Sequence, residues 1–118
     1  MTDSDHFELV LRRLRDELRA RDAELARALA ELGALRDPNA DDEHDPDGAP
    51  VSGEWSRLAG IRRETESELR ATDAALLRLS AGTYGSCVDC GRAIAPGRLE
   101  ARPTAQLCIA CAERASRR

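Results

Sequence analysis

Four cysteines are the residues of this chain that are best placed to do chemistry. They follow the spacing C-x2-C-x17-C-x2-C and account for every cysteine in the sequence: Cys87, Cys90, Cys108 and Cys111. Each C-x-x-C pair can close a tight turn around one metal ion, and four thiolates complete the tetrahedral shell that Zn²⁺ prefers. Because protein ligands would fill all four positions, the pattern predicts one zinc ion with a structural role.

The surroundings of the cysteines favour metal, although two other uses stay open: a pair of disulfides, or a thioredoxin-like redox dithiol. Gly91, directly after Cys90, permits the tight backbone that a metal-binding turn needs. The charged N-terminus does not resemble a signal peptide, and no apolar run approaches the roughly 18 residues that span a bilayer. We therefore expect a cytoplasmic protein without membrane contact, whose thiols stay reduced and available to metal.

The first 36 residues carry the pattern of one long helix, from about residue 5 to residue 36. Apolar side chains recur at alternating spacings of three and four, which predicts coiled-coil packing along one stripe. Asp37-Pro38 should end the helix, because proline disfavours helical backbone in the residue before it. The stripe, in which only Arg21 is not apolar, comprises Phe7, Leu11, Leu14, Leu18, Arg21, Leu25, Ala28, Leu32 and Leu35.

A second helix is predicted from about Ser52 or Glu54 to Ala81, with Gly82 placed to close it. Its apolar stripe is weaker, since Arg62, Thr65 and Thr72 occupy stripe positions beside Trp55, Leu58, Ile61, Leu69, Leu76 and Leu79. Two helices of similar length predict an antiparallel hairpin within one chain, and hence a monomer. A coiled coil between two chains remains the alternative.

Between these helices lies an acidic segment at about 37–51, in which residues 37–50 carry six acidic residues and no arginine. The chain is therefore divided into a helical hairpin with an acidic tip loop (1–82) and a C4 zinc-finger module (83–118). In the module, Pro96-Gly97 predicts a turn between strands near 92–95 and 98–101. A short basic helix is expected at 111–118, with Arg114, Arg117 and Arg118 complementing its C-terminus. The predicted fold is mostly α, a long antiparallel hairpin followed by a small zinc-ribbon-like module.

Residues 84–115, YGSCVDCGRAIAPGRLEARPTAQLCIACAERA, closely resemble the zinc-finger signature of the DksA/TraR family of bacterial transcription regulators. The match includes Tyr84-Gly85, the Cys-Gly of the first turn and the run from Arg98 to Ala105. The resemblance implies a regulator, not an enzyme, that binds RNA polymerase directly rather than DNA. It also implies that the coiled coil enters the secondary channel of the polymerase and places acidic tip residues near its active site.

Individual residues carry over from the family where they match its motifs. The family's tip reads Asp-x-x-Asp-x-Ala, which places its second Asp at Asp47 and its Ala at Ala49. His44 stands at the first Asp position, and Asp45 beside it is the expected substitute.

Members that respond to guanosine tetraphosphate use basic residues around the zinc module. Arg102 matches one of these nucleotide or rim contacts, whereas Ala71 and Ala112 stand where lysines are expected. The sequence therefore predicts polymerase binding with little response to the nucleotide.

Three other functions stay open at this stage. Tip carboxylates that held a second Mg²⁺ would make the protein a transcript-cleavage-type polymerase accessory factor. The cysteines of a coiled-coil scaffold could instead respond to zinc or to oxidants. A coiled-coil scaffold without such a response is the third. Sequence-specific DNA binding is not expected, because the net charge is −4 and no aromatic residues interleave the arginines.

Overall fold

The computed structural model describes residues 3–35 and 48–117, with side chains from residue 52 onward in the second range. These ranges form four helices: α1 (Asp3–Leu35), α2 (Gly48–Ala81), α3 (Pro96–Ala101) and α4 (Ile109–Ser116). They contain no strand, and their extended pairing is limited to an isolated antiparallel bridge between Ser86 and Ala93. The predicted mostly helical fold is confirmed.

The two long helices consist largely of residues with high helix propensity, and ion pairs within each helix add to their stability. On α1, Arg12 Nη2 lies 3.1 Å from Glu8 Oε1, and on α2 Arg57 pairs with Glu54. The helices contain 33 and 34 residues, so each is about 50 Å long. In the described ranges, no helix combines the length and the apolarity that a membrane span requires.

Helix α2 begins at Gly48, earlier than the predicted start at Ser52 or Glu54. The predicted loop boundary at residue 51 is therefore wrong at its C-terminal end. Pro50 led to this error, although proline is tolerated in the first turn of a helix, where the N–H groups have no partner within the helix. The remaining residues of the predicted loop, 37–47, lie outside the described residues.

The chain divides into two compact units, Glu17–Leu69 and a unit of Met1–Asp16 with Arg70–Arg118. Within Glu17–Leu69, the two helices run antiparallel. Arg62 Nε donates a hydrogen bond to Asp22 Oδ1 at 3.0 Å, while a Cβ at Gly33 would lie 3.4 Å from the Trp55 ring. Later residues of α1 thus contact earlier residues of α2, as expected for the predicted antiparallel pairing within one chain.

The buried side of α1 departs from the predicted stripe because an α-helix has 3.6 residues per turn and drifts by about 20° per heptad. Leu11 is 0% exposed, and Leu29, which is 8% exposed, follows it by 18 residues, or about five full turns. Leu35 has rotated away from this side and is 72% exposed. The expectation that Leu35 continues the stripe was wrong, and Leu29 takes part in the buried side instead.

On α2 the two threonines that weaken the predicted stripe are buried. Thr65 is 2% exposed and its hydroxyl donates to the Ile61 carbonyl at 2.9 Å, so the burial leaves no unpaired hydroxyl. Thr72 and Ala75 are 0% exposed. Small side chains at these positions allow close approach of the facing helix.

The other unit has its core in the cysteine module. Phe7 from the first turns of α1 is buried there with Cys87, Ile94, Leu99, Ala105 and Cys111. Its ring centroid lies 5.4 Å from that of Tyr84. Phe7 therefore belongs to the core of the module, although its spacing in the sequence places it on the coiled-coil stripe.

The module contains no strands at the predicted positions. Pro96 and Gly97 begin α3 rather than forming a turn between strands near 92–95 and 98–101. Proline at the first positions of a helix needs no hydrogen-bond partner and already has a helical φ, which explains this outcome. The final helix also begins earlier than predicted, at Ile109 rather than residue 111.

Candidate metal centre

The four cysteine sulfurs come together in the structure, each within 4.8 Å of the others. In the described part of the chain, this is the one cluster of three or more such side chains that could together hold a metal ion. A tetrahedral zinc ion with Zn–S bonds of about 2.3 Å separates its sulfurs by about 3.8 Å. Cys90 and Cys108 Sγ lie 3.8 Å apart, and none of the four cysteines is in a disulfide. The donor set therefore fits zinc.

The first pair of cysteines is held by a tight turn after Cys87. The Cys87 N–H donates to the Arg92 carbonyl at 2.7 Å, and the Gly91 N–H donates to the Cys87 carbonyl at 3.0 Å. Gly91 has a φ of +77°, a value that other residues adopt only at a cost. This is the role that the sequence predicts for the glycine after Cys90.

The second pair of cysteines lies at the start of α4. Cys108 is the N-cap residue and Cys111 lies in the first turn, with the Ala112 N–H donating to the Cys108 carbonyl at 2.9 Å. A backbone hydrogen bond of 2.9 Å from Val88 to Gln106 ties this segment to the first turn. The two C-x-x-C segments are thus joined by main-chain contacts.

Two side chains from outside the C-x-x-C segments hold the connecting chain in place. The Tyr84 hydroxyl donates to the Pro103 carbonyl at 2.8 Å, and Arg98 Nε donates to the Leu107 carbonyl at 2.9 Å. Each bond satisfies a backbone carbonyl shortly before the second pair of cysteines. Tyr84 and Arg98 therefore orient the segment that delivers Cys108.

The four sulfurs differ in their surroundings. Cys87 and Cys111 are buried, Cys108 is half-buried and Cys90 is exposed. Hydrogen bonds from the backbone of Cys90 and Cys108 lower the pKa of Cys87 to about 6. A backbone hydrogen bond from Cys111 lowers the pKa of Cys108. Backbone N–H groups thus prepare these two thiols for the deprotonation that metal binding requires.

Cys111 accepts a hydrogen bond from a side chain, with Arg114 Nη2 at 3.0 Å from its sulfur. This bond acts to lower the pKa of Cys111, but burial and the three neighbouring cysteines outweigh it and raise that pKa to about 12. From the sequence, Arg114 was expected only to complement the helix C-terminus, and its contact with Cys111 was missed. The spacing of three residues from Cys111 on one helix was the available signal.

The remaining predicted site residues lie outside this cluster or outside the described residues. Arg102 is exposed at the C-terminal end of α3, and Ala49 lies in the first turn of α2. Asp45 and Asp47 lie outside the described residues. The tip assignments therefore stay predictions.

Comparison with known proteins gives a family model, described as the prokaryotic dksA/traR C4-type zinc finger, that matches residues 82–117. The RNA polymerase-binding transcription factor DksA of Caulobacter vibrioides is 48% identical over 70 residues, which cover 58% of this chain and 49% of the relative. DksA of Escherichia coli K12 is 31% identical over 106 residues, covering 90% of this chain and 66% of the relative. The chain spans about half to two thirds of the length of these curated relatives.

A solved structure is similar across almost the whole chain. Transcription factor DksA2 from Pseudomonas aeruginosa superimposes with a TM-score of 0.83 at 32% identity, covering 97% of this chain and 83% of the DksA2 chain. The names of these relatives describe transcription factors, not enzymes. Together with the C4-type finger and the clustered cysteines, which point to zinc, the comparison establishes that this chain belongs to the DksA/TraR family.

Proposed function

We propose that this protein binds bacterial RNA polymerase and regulates transcription. The observation that carries the proposal is similarity along nearly the whole chain to proteins named as transcription factors. DksA of E. coli, named for RNA polymerase binding, matches 90% of this chain, and DksA2 matches 97% of it in three dimensions. The likeness extends beyond the zinc finger to both long helices, so it covers the part expected to reach the polymerase.

We further propose that the paired helices enter the secondary channel and carry the acidic segment toward the polymerase active site. Within Glu17–Leu69, the pairing of two helices of about 10–12 Å diameter gives a narrow element. The segment between the helices supplies six acidic residues, all at 37–47. Carboxylates near a catalytic Mg²⁺ would change the local charge strongly, because oxygen ligands and low dielectric favour such interactions.

In this proposal, zinc has a structural role. One ion bound by four thiolates holds the C-terminal module together and leaves no open coordination position for catalysis. The module also holds the N-terminal turns of α1 through Phe7, which is 7% exposed in its core. The zinc ion would therefore stabilise the unit that contains the module and the first turns of α1, without taking part in chemistry.

The test separates binding from regulation. Purified polymerase is used in a binding assay and in an initiation assay, with wild-type protein and with the double variant Asp45→Asn and Asp47→Asn. We expect the double variant to bind like wild type, because the helices and the zinc module would provide docking, but to lose its effect on initiation. Asp41→Asn with Asp42→Asn is the matched control, since it removes the same charge from the same segment outside the tip pattern.

Two results would contradict the proposal at different levels. Failure of wild-type protein to bind polymerase would overturn polymerase binding itself. Normal regulation by the Asp45 and Asp47 double variant, or equal loss in both double variants, would leave binding intact and would overturn the specific role of the tip pattern.

A further inference from the structure

Arg114 has an unusual partner for an arginine on a short helix, because its guanidinium bonds to sulfur. Nη2 lies 3.0 Å from Cys111 Sγ, and the two residues stand three apart on α4. Cys111 is 1% exposed, so the side chain, rather than bulk water, supplies this donor. We propose that Arg114 is a positioning residue of the zinc centre, whose charge-assisted hydrogen bond to the Cys111 thiolate slows the loss of the metal.

The charge of the centre explains why such a donor matters. Four thiolates around one divalent ion carry a formal charge of about −2, and a buried charge without compensation is costly. The excess charge also attracts protons, which release a thiolate from the metal. A guanidinium beside one sulfur reduces both effects, and a hydrogen bond between charged groups is about twice as strong as a neutral one.

The two buried sulfurs receive this support from different sources. Cys87 accepts hydrogen bonds from backbone groups of Cys90 and Cys108, which no side-chain substitution removes. Cys111 receives its donor from the side chain of Arg114. Cys111 is therefore the buried ligand whose support depends on one replaceable residue.

Neighbouring arginines provide matched comparisons. A cleft of about 540 Å³ beside the centre is lined by Cys90 and Cys108 and by the three arginines Arg92, Arg114 and Arg117. In the described part of the chain, Arg114 is the one of the three with a hydrogen bond to a cysteine sulfur. Replacing Arg92 or Arg117 changes the charge at the same cleft without removing a donor to the centre.

The experiment measures zinc release from the full-length, zinc-loaded protein under excess chelator, with a metal-sensitive dye. We expect Arg114→Gln to release zinc about 10-fold faster, the lower end of the usual effect of losing an outer-shell partner. Arg114→Lys keeps the charge and a donor and should fall between wild type and Arg114→Gln. Arg92→Gln and Arg117→Gln should release zinc at close to the wild-type rate. Circular dichroism controls for helix content.

A second readout follows the sulfur itself and would not respond to a loss of packing alone. In cobalt-substituted protein, the sulfur-to-cobalt charge-transfer band should shift in Arg114→Gln and stay unchanged in the two control variants. Equal release rates for the three glutamine variants, or an unshifted band in Arg114→Gln, would overturn the proposal. If Arg114→Gln takes up no metal, Arg114→Lys decides: faster release than the controls supports the proposal, and equal release overturns it. The outcome does not depend on polymerase binding.

Discussion

Tyr84 shows how one residue links the start of α1 to the cysteine module. Its ring packs against Phe7, and its hydroxyl donates to the Pro103 carbonyl. Burial, as the largest cause, raises the pKa of Tyr84 to about 12. The folded protein therefore keeps this phenol protonated at pH values where an unfolded chain would release the proton.

The raised pKa of Tyr84 predicts that the free energy of unfolding decreases at high pH. An unfolded tyrosine titrates near pH 10, so its contribution to stability is fully present below about pH 10 and is lost as the pH rises toward 12. Because this is the single tyrosine of the chain, tyrosinate absorbance reports on it directly. We expect a titration midpoint well above 10 in the folded protein and near 10 in denaturant. Tyr84→Phe, the control, should show no tyrosinate signal. A titration midpoint near pH 10 in the folded wild-type protein would contradict the burial of Tyr84.

Removal of one zinc ligand is expected to unfold the module but to leave most helix in place. Cys87→Ser should reduce bound zinc from one ion per chain to near zero. The module should then unfold, because metal binding contributes about 10–16 kcal/mol to the folding of comparable small sites. Amide signals from 83–117 should lose their dispersion, while those from Glu17–Leu69 should persist, since that unit has its own buried residues. Metal analysis and NMR measure both effects.

Ser86→Ala is the control for this variant, because it alters the exposed neighbour of Cys87 and no ligand. Retention of zinc and of the dispersed module signals by Cys87→Ser would show that the fourth thiolate is dispensable.

At the scale of elements, the end of α2 is set by its backbone hydrogen bonds. Gly82 has a φ of +77°, and its N–H donates to the Leu79 carbonyl while the Thr83 N–H donates to the Arg78 carbonyl. This is the Schellman arrangement, in which a residue with positive φ turns the chain back over the last helical carbonyls. The turn directs the chain from α2 into the first C-x-x-C segment.

Replacing glycine by alanine at two positions of α2 and its C-terminal end should have opposite effects on the free energy of unfolding. Gly82→Ala is expected to destabilise the protein by about 1–2 kcal/mol, because a Cβ is strained at positive φ. Gly53→Ala, the matched control within α2, should stabilise it by about 0.5–1 kcal/mol, since a Cβ there meets no neighbouring atom and alanine favours helix. Chemical denaturation measures both. Equal effects of the two variants would contradict the role of positive φ at the helix end.

The sequence predicted those elements whose signals are local and periodic. Heptad spacing located both long helices, and the cysteine pattern picked out the four cysteines whose sulfurs lie together. It could not predict that Phe7 leaves the stripe for the module core, because that contact joins residues distant in sequence. Nor did it predict that Pro96 begins α3, because proline followed by glycine is compatible with both a turn and a helix start.

At the scale of the whole molecule, charge is unevenly distributed along the sequence. Residues 37–50 carry six acids without arginine, whereas residues 83–118 carry three acids and six arginines. A zinc ion on four thiolates would subtract about two charges from the C-terminal part. With the ion bound, the formal charge of this part would fall from about +3 to about +1, which leaves little excess positive charge for a highly charged nucleotide.

The last prediction concerns guanosine tetraphosphate and rests on the proposed polymerase regulation. Several converging cations are needed to hold such a nucleotide, because single exposed contacts are weak and screened by salt. Arg102 is exposed, but Ala71 and Ala112 supply no charge where the resemblance leads us to expect lysines. We expect the nucleotide to add little to regulation by wild-type protein in a reconstituted initiation assay.

Introducing lysines at these two positions should create the response to guanosine tetraphosphate that wild-type protein is expected to lack. Ala71→Lys with Ala112→Lys is expected to make regulation sensitive to the nucleotide, and Arg102→Ala in that background should remove the gain. The matched control is Ala74→Lys with Ala115→Lys, which adds the same charge three residues further along each helix and should have no such effect. A strong response of wild-type protein that Arg102→Ala abolishes would show that one arginine suffices. An equal gain in the control variant would show that the response depends on the added net charge and not on positions 71 and 112.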